Sequence, residues 1–93
     1  MREVTLDLTP FEEKHALHDY LKQTMDFPYY YGGNLDALYD VLGAITQATR
    51  LHLQYSAQPK GKMVEYLPRL LSVFRDAAAE NYNLEITEEQ LAR

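Results

Sequence analysis

Three short stretches in which apolar and polar residues alternate constrain this fold most strongly. They cover residues 2–8, 50–55 and 82–87, and such alternation is typical of strands that bury one face. In the first stretch Val4, Leu6 and Leu8 fall on one side. Helical patterns separate the three stretches, and strands joined by helical crossovers pair in parallel with right-handed connections. The sequence therefore predicts an α/β fold with a three-stranded parallel sheet, helices packed on it, and the order β-α-α-β-α-β.

The first helix is predicted from a capping box at residues 9–12, with Pro10 at the first helical position. It should end near Met25, because a residue before a proline avoids the helical region and Pro28 follows. Its predicted buried face comprises Phe11, His18, Leu21 and Met25. His15 and His18 are spaced i,i+3, but no other ligand lies nearby. They are therefore interpreted as helix-face residues and not as a metal site.

The second helix is predicted to begin after Asn34, whose short polar side chain suits an N-cap, and to run to about Thr46. Two preceding glycines, Gly32 and Gly33, allow a tight entry into the helix. The apolar face of this helix comprises Leu35, Leu38, Val41, Leu42 and Ile45. Asp36 and Asp40 fall on the opposite face, which we expect to be exposed.

The third helix is predicted to begin near Leu67 or Pro68, because proline is disfavoured inside a helix, and to end near Glu80. Residues 63–67 are interpreted as an irregular turn or an early helical segment. In the loop before them, Lys60 and Lys62 are interpreted as exposed. After the last strand, Thr87 begins a tail that should form a short helix or fray.

Composition limits the classes of function. The chain has 93 residues, which suits a single domain spanning 1–93, and a net charge of −5 with a pI near 5.0. This acidity argues against non-specific binding of nucleic acid or of anionic membranes, and it suits a basic partner. There is no cysteine, no secretory signal pattern and no membrane-spanning stretch, so we expect a cytoplasmic protein. No cofactor or metal is expected.

Residues 28–40 form an acidic, aromatic segment that is the candidate site. Four tyrosines lie in it, Asp36 and Asp40 are spaced i,i+4, and no lysine or arginine occurs between Lys22 and Arg50. Two aspartates on an outer helix face are often only a solvated surface. Tyrosines beside unpaired acids are, however, also typical of protein-binding surfaces. The segment therefore predicts a surface for a positively charged partner.

The segment from Tyr30 to Asp40 resembles the signature of the barstar family, small acidic inhibitors of secreted bacterial ribonucleases of the barnase type. The matching residues are Tyr30, Tyr31, Gly32, Asn34, Leu35, Asp36, Ala37, Leu38 and Asp40. Residues 73–80 are similar to the last helix of the same family, so that the resemblance covers essentially the whole chain. It implies a barstar-like three-stranded parallel fold.

The resemblance also implies a mechanism and a set of contact residues. Carboxylates of the second helix would replace RNA phosphates in the active site of a secreted ribonuclease, or of a related toxin with a basic site, in a one-to-one complex. The implied partner-binding residues are Tyr30, Tyr31, Gly32, Asn34, Asp36, Tyr39, Asp40, Gly43 and Asp76. Three positions depart from barstar. Tyr39 replaces a tryptophan, and Gly33 and Tyr29 each replace a glutamate.

Two other classes of function remain open at this point. Paired aspartates can perform acid–base chemistry, but no phosphate loop, zinc motif or activated nucleophile accompanies them, so an enzyme is not predicted. A non-inhibitory acidic interaction module that binds another basic protein is the main alternative, because a fold does not determine its partner.

Overall fold

The computed structural model describes residues 1–92 and contains three strands and three helices in those residues. The elements are β1 (Arg2–Asp7), α1 (Lys14–Met25), α2 (Leu35–Gly43), β2 (Thr49–Ser56), α3 (Met63–Glu80) and β3 (Leu84–Leu91). The order β-α-α-β-α-β is the one that the alternating stretches predict.

The strands form one parallel sheet with β2 in the centre. Val4 of β1 pairs with Leu51 of β2, and Leu51 pairs with Ile86 of β3. The predicted α/β fold with a three-stranded parallel sheet is therefore confirmed. Each neighbour of β2 is joined to it by a helical connection, which is what parallel pairing of consecutive strands requires.

One face of the sheet packs against the helices, and the other face is polar. The buried cluster combines strand residues such as Leu6 and Leu53 with Leu38 of α2 and Phe74 of α3. On the polar face, Arg50 reaches Glu3 on one side and Glu85 on the other, at 3.2 and 3.4 Å. A parallel sheet is usually covered on both faces. Here a ladder of charged side chains takes the place of a second helical layer.

The predicted capping box at residues 9–12 is wrong. The Thr9 hydroxyl donates to an Asp7 carboxylate oxygen at 2.6 Å, and the Thr9 backbone N–H donates to the same oxygen at 3.0 Å. These bonds close a turn after β1, and α1 begins only at Lys14, with no side-chain cap. Phe11 therefore precedes the helix and is half-buried against Tyr20 instead of lying in the core. The predicted end of α1 near Met25 is confirmed, and Asp26 follows in a left-handed conformation.

Two other predicted helix boundaries differ from the structure. α2 ends at Gly43 and not near Thr46. α3 begins at Met63 and contains Pro68, because Met63, Tyr66 and Leu67 are buried and hold the first turns on the core. Proline has no backbone N–H, so one carbonyl in the preceding turn has no partner within the helix. Pro68 itself is exposed, and water can bind that carbonyl.

The tail continues as a strand instead of forming a helix or fraying. β3 extends to Leu91, which pairs with Ser56 of β2. Arg75 of α3 donates two hydrogen bonds to Glu88, at 2.6 and 2.8 Å, and Tyr55 donates a third at 3.0 Å. These contacts come from distant segments, which is why the local sequence does not indicate them. No helix in residues 1–92 has the length and apolar character needed to cross a bilayer.

Candidate functional site

The loop between α1 and α2 presents tyrosines to solvent. Tyr29 and Tyr30 are 89% and 72% exposed, and their rings meet edge to face at 5.5 Å between centroids. Tyr31 is different, because its ring packs on Phe27 at 4.9 Å and its hydroxyl turns inward. Two of the implied contact tyrosines lie in this loop: Tyr30 is on the surface, whereas Tyr31 anchors the loop to the core.

The start of α2 follows the sequence prediction. The Asn34 side-chain oxygen accepts a hydrogen bond from the Ala37 backbone N–H at 2.8 Å, so its role as N-cap is confirmed. Gly33 adopts φ +67°, a conformation that favours glycine. Gly32 is exposed beside the cap. Asp36 lies in the first turn, where the helix dipole favours a negative charge.

Acidic side chains of α2 and α3 converge around Tyr39. The Tyr39 hydroxyl donates to a Glu80 carboxylate, and this hydrogen bond raises the pKa of Tyr39. The charges of Glu80, Asp76 and Asp40 raise that pKa further. The fold therefore brings Asp40 and Asp76, 36 residues apart in the sequence, close enough to Tyr39 for both charges to act on it. Asp36, Asp40, Asp76 and Glu80 are all exposed.

Sequence reasoning missed Glu80 as a member of this site. Glu80 is the last residue of α3 and lies one helical turn after Asp76. The i,i+4 spacing of the two acids was the available signal, because it places both on one helix face. We call the surface formed by Asp36, Tyr39, Asp40, Asp76 and Glu80, together with Tyr30, the acidic surface.

Two depressions flank Asp40 within the acidic surface. One lies between α2 and α3 and is lined by Tyr39, Asp40, Gly43, Ala77, Glu80 and Asn81. The other is largely apolar and is lined by residues of the loop and of α2, among them Tyr30, Asp40, Val41, Ala44 and Ile45. The Asn81 amide donates to the backbone carbonyls of Leu42 and Ile45, each at 3.0 Å. It thereby fixes the end of α2 against α3.

A buried histidine connects the loop to the helices. His18 of α1 is 2% exposed; its Nδ1 lies 2.6 Å from the Tyr31 hydroxyl and its Nε2 lies 2.6 Å from the Tyr66 hydroxyl. Burial lowers the pKa of His18 below its usual 6.5, against a smaller opposing effect of Asp19. Burial likewise raises the pKa of Tyr31.

The sequence prediction that His18 is buried is confirmed, but its partners were not foreseen. Tyr66 lies 48 residues away in the sequence, so no local pattern indicates the pairing. The only usable signal was that a buried imidazole requires hydrogen-bond partners. His15 is exposed and pairs with Asp19 at 3.3 Å, so the two histidines do not share a ligand position. In residues 1–92 no three acidic or histidine side chains are grouped to hold a metal ion.

Basic residues border the acidic surface, although none lies within residues 23–49 of the sequence. Lys22 donates to the Tyr29 carbonyl and Arg2 to the Met25 carbonyl, each at 3.2 Å. Lys14 and Arg69 lie beside Asp36, in a cleft that all three line. The fold therefore brings bases from other elements to the edge of a surface whose own segment contains none.

Comparison with known proteins agrees with the fold. The chain is a small α/β protein with exposed acids on two helices that contact each other. The family model described as "Barstar (barnase inhibitor)" matches residues 1–90, and the chain belongs to this family. It is 38% identical over 81 residues to the Bacillus subtilis (strain 168) protein named "Putative ribonuclease inhibitor YrdF", covering 86% of this chain and 89% of that protein.

Proposed function

We propose that this protein inhibits a barnase-type ribonuclease, or a related toxin with a basic active site, by inserting the acidic surface into that site. The observation that carries the proposal is the convergence of exposed carboxylates from α2 and α3 around Tyr39. Membership of the barstar family supports it independently. A one-to-one complex and a cytoplasmic location belong to the same proposal.

The chemistry rests on the likeness of a carboxylate to a phosphate. A ribonuclease binds RNA phosphates with cationic side chains, and carboxylates form short charge-assisted hydrogen bonds with the same groups. The resemblance to the barstar family implies Asp40 as the central acid, and its position between the two depressions supports that role. Asp36, Asp76 and Glu80 would engage cations farther out.

Preorganisation would make such binding efficient. Asn34 caps the start of α2 and Asn81 holds its end, so the carboxylates sit on a fixed helix. His18 holds the loop through Tyr31, which keeps Tyr30 in place beside Asp40. A rigid surface loses little conformational entropy on binding.

No catalytic role is part of the proposal. Asp36 and Asp40 are exposed on the outer face of a helix, whereas acid–base catalysis generally takes place in a site that excludes water. The alternative, a non-inhibitory module for another basic protein, is supported by Tyr29. At 89% exposure it adds an aromatic surface where barstar has an acid.

A cleavage titration tests the proposal. Increasing amounts of the protein are added to a fixed concentration of a barnase-type ribonuclease, and the initial rate of RNA cleavage is measured. We expect the rate to fall linearly and to vanish at one equivalent. Binding without loss of cleavage would favour the non-inhibitory module, and an unchanged rate without binding would contradict the proposal for this class of enzyme.

A further inference from the structure

Two cations flank one buried ring beside the acidic surface. The Lys14 Nζ lies 4.8 Å from the centroid of the Tyr66 ring, and the Arg69 guanidinium carbon lies 5.9 Å from it. Tyr66 is 4% exposed, so the ring is largely covered. Both distances are within the range of a cation–π interaction. We call Lys14, Tyr66 and Arg69 the basic corner.

The basic corner has a fixed position relative to the loop. The Tyr66 hydroxyl binds His18, and His18 binds Tyr31 of the loop, each at 2.6 Å. The ring that supports both cations is therefore connected to the segment that carries the proposed contacts. Most surface lysines and arginines lack such support and sample many rotamers.

The charges of the basic corner are not neutralised by ion pairs. In the described part of the chain, neither Lys14 nor Arg69 has a carboxylate within ion-pair distance. Arg50, in contrast, binds two glutamates, and Arg75 binds one. Both cations lie near the same ring and repel each other, and a bound carboxylate would attract both.

The basic corner also adjoins the acidic surface. One cleft is lined by Lys14, Arg69 and Tyr66 together with Asn34 and Asp36 at the start of α2. On the other side of Tyr66, Lys62 and Glu65 line a second cleft with the same two cations. A protein that covers the start of α2 would therefore meet both signs of charge.

We propose that Lys14 and Arg69 form a second contact surface, which binds an aspartate or glutamate on the rim of the partner's basic active-site cleft. This inference rests on the proposed function and makes it more specific. The fitting partner has a basic cleft with an acidic rim next to it. A partner that is basic throughout would be repelled at this corner, so the corner contributes to selectivity.

Neutralising one cation at a time tests the inference. The variants are Lys14→Gln and Arg69→Gln, and Lys60→Gln is the matched control because Lys60 lines a different groove beside Pro10 and Pro59. Each substitution makes the chain more acidic by one unit. If only net charge mattered, all three would associate with a basic ribonuclease as fast as the wild type or faster.

For the two variants of the basic corner we expect the opposite, weaker binding. Lys14→Gln and Arg69→Gln should each weaken binding to a barnase-type ribonuclease by roughly two- to fivefold, mainly through faster dissociation, and the double variant by roughly tenfold. Lys60→Gln should not weaken it. Arg69→Lys, which keeps the charge, should retain most of the affinity. Unfolding midpoints of all variants show whether the fold is intact.

The outcomes separate this inference from the function on which it rests. Wild-type inhibition together with unchanged or tighter binding of both corner variants would overturn the inference and leave the proposed function standing. A wild type that neither binds nor inhibits would overturn both. If an RNA oligonucleotide binds the wild type but not Arg69→Gln, the basic corner binds phosphate and not a partner carboxylate, and the inference is overturned.

Discussion

Asp40 is the residue on which the proposed function depends most. It is exposed, lies between two depressions and is close enough to Tyr39 to raise the pKa of that hydroxyl. In a complex it would be buried against a cation of the enzyme. Removing its charge would then leave that cation buried without a partner, which is far costlier than losing an exposed ion pair.

We therefore expect Asp40→Asn to weaken binding by about 3–5 kcal/mol. The matched control is Glu85→Gln, which removes the same charge on the polar face of the sheet, where Glu85 forms an exposed pair with Arg50. The control should change the affinity by less than about 1 kcal/mol. Calorimetric titration into a barnase-type ribonuclease measures both. Equal losses from the two variants would refute the placement of the site.

His18 should make stability depend on pH. Its pKa in the folded protein is lower than 6.5, so the unfolded chain binds protons more readily. The contribution of neutral His18 is therefore fully present above pH 6.5 and is lost as the pH falls below it. Exposed His15, next to Asp19, provides the comparison.

At pH 8, His18→Gln should lower the free energy of unfolding by about 1–3 kcal/mol, because two hydrogen bonds are lost. At pH 5 the difference in the free energy of unfolding should be smaller, because protonation has already removed part of the stabilisation that neutral His18 gives the wild type. Urea unfolding at both values measures this, with His15→Gln as control. A difference that stays constant or grows towards pH 5 would contradict the account of a buried neutral imidazole.

At the scale of the elements, two glycines of the site region should respond differently to the same substitution. Gly33 has φ +67° before α2, whereas a Cβ on Gly43 at the end of α2 would meet no atom within 4 Å. Gly33→Ala should cost about 1–2 kcal/mol of stability, because L-residues avoid this conformation. Gly43→Ala should be neutral or stabilising by up to about 1 kcal/mol. Thermal unfolding compares them, and a larger loss at Gly43 would contradict the helix boundary.

The order of the elements was predictable because its signals are local. Alternation at residues 2–8, 50–55 and 82–87 identifies each strand, and the helical segments between them favour the parallel pairing that is observed. The Asn34 cap was predictable for the same reason, since the capping bond spans only three residues.

The boundaries that the sequence predicted wrongly depend on distant contacts. Thr9 is held by Asp7 in a turn and so cannot cap α1. α3 starts before Pro68 because Met63 and Tyr66 are buried against other elements. Glu88 binds Arg75 of α3, which helps to keep the tail extended as a strand. In each case tertiary packing overrides a local preference.

At the scale of the whole molecule, the net charge of −5 should speed association with a basic partner. Raising the salt concentration from ~50 to ~500 mM shortens the screening length severalfold. We expect the association rate to fall by roughly tenfold or more, while the dissociation rate changes much less. Stopped-flow mixing measures both rates. An association rate that does not depend on salt would contradict electrostatic steering.

The distribution of charge over the molecule was only partly predictable. The acids of α2 lie in one short segment, which the sequence shows directly. Glu80 of α3 joins these acids towards the end of α2, whereas Lys14 of α1 and Arg69 of α3 lie at its start, and only the fold brings them there. The link from Tyr31 through His18 to Tyr66 spans elements that no periodic pattern connects.

The most direct test of the central claim is competition for the enzyme's active site. The protein is titrated calorimetrically into a barnase-type ribonuclease, with and without a 3′-mononucleotide at about 100 times its own dissociation constant. If the acidic surface occupies the phosphate-binding site, the apparent affinity should fall by about 2.7 kcal/mol, roughly a hundredfold. An affinity that is unchanged by the nucleotide would show that the protein binds elsewhere, and would contradict the claim that its carboxylates replace RNA phosphates.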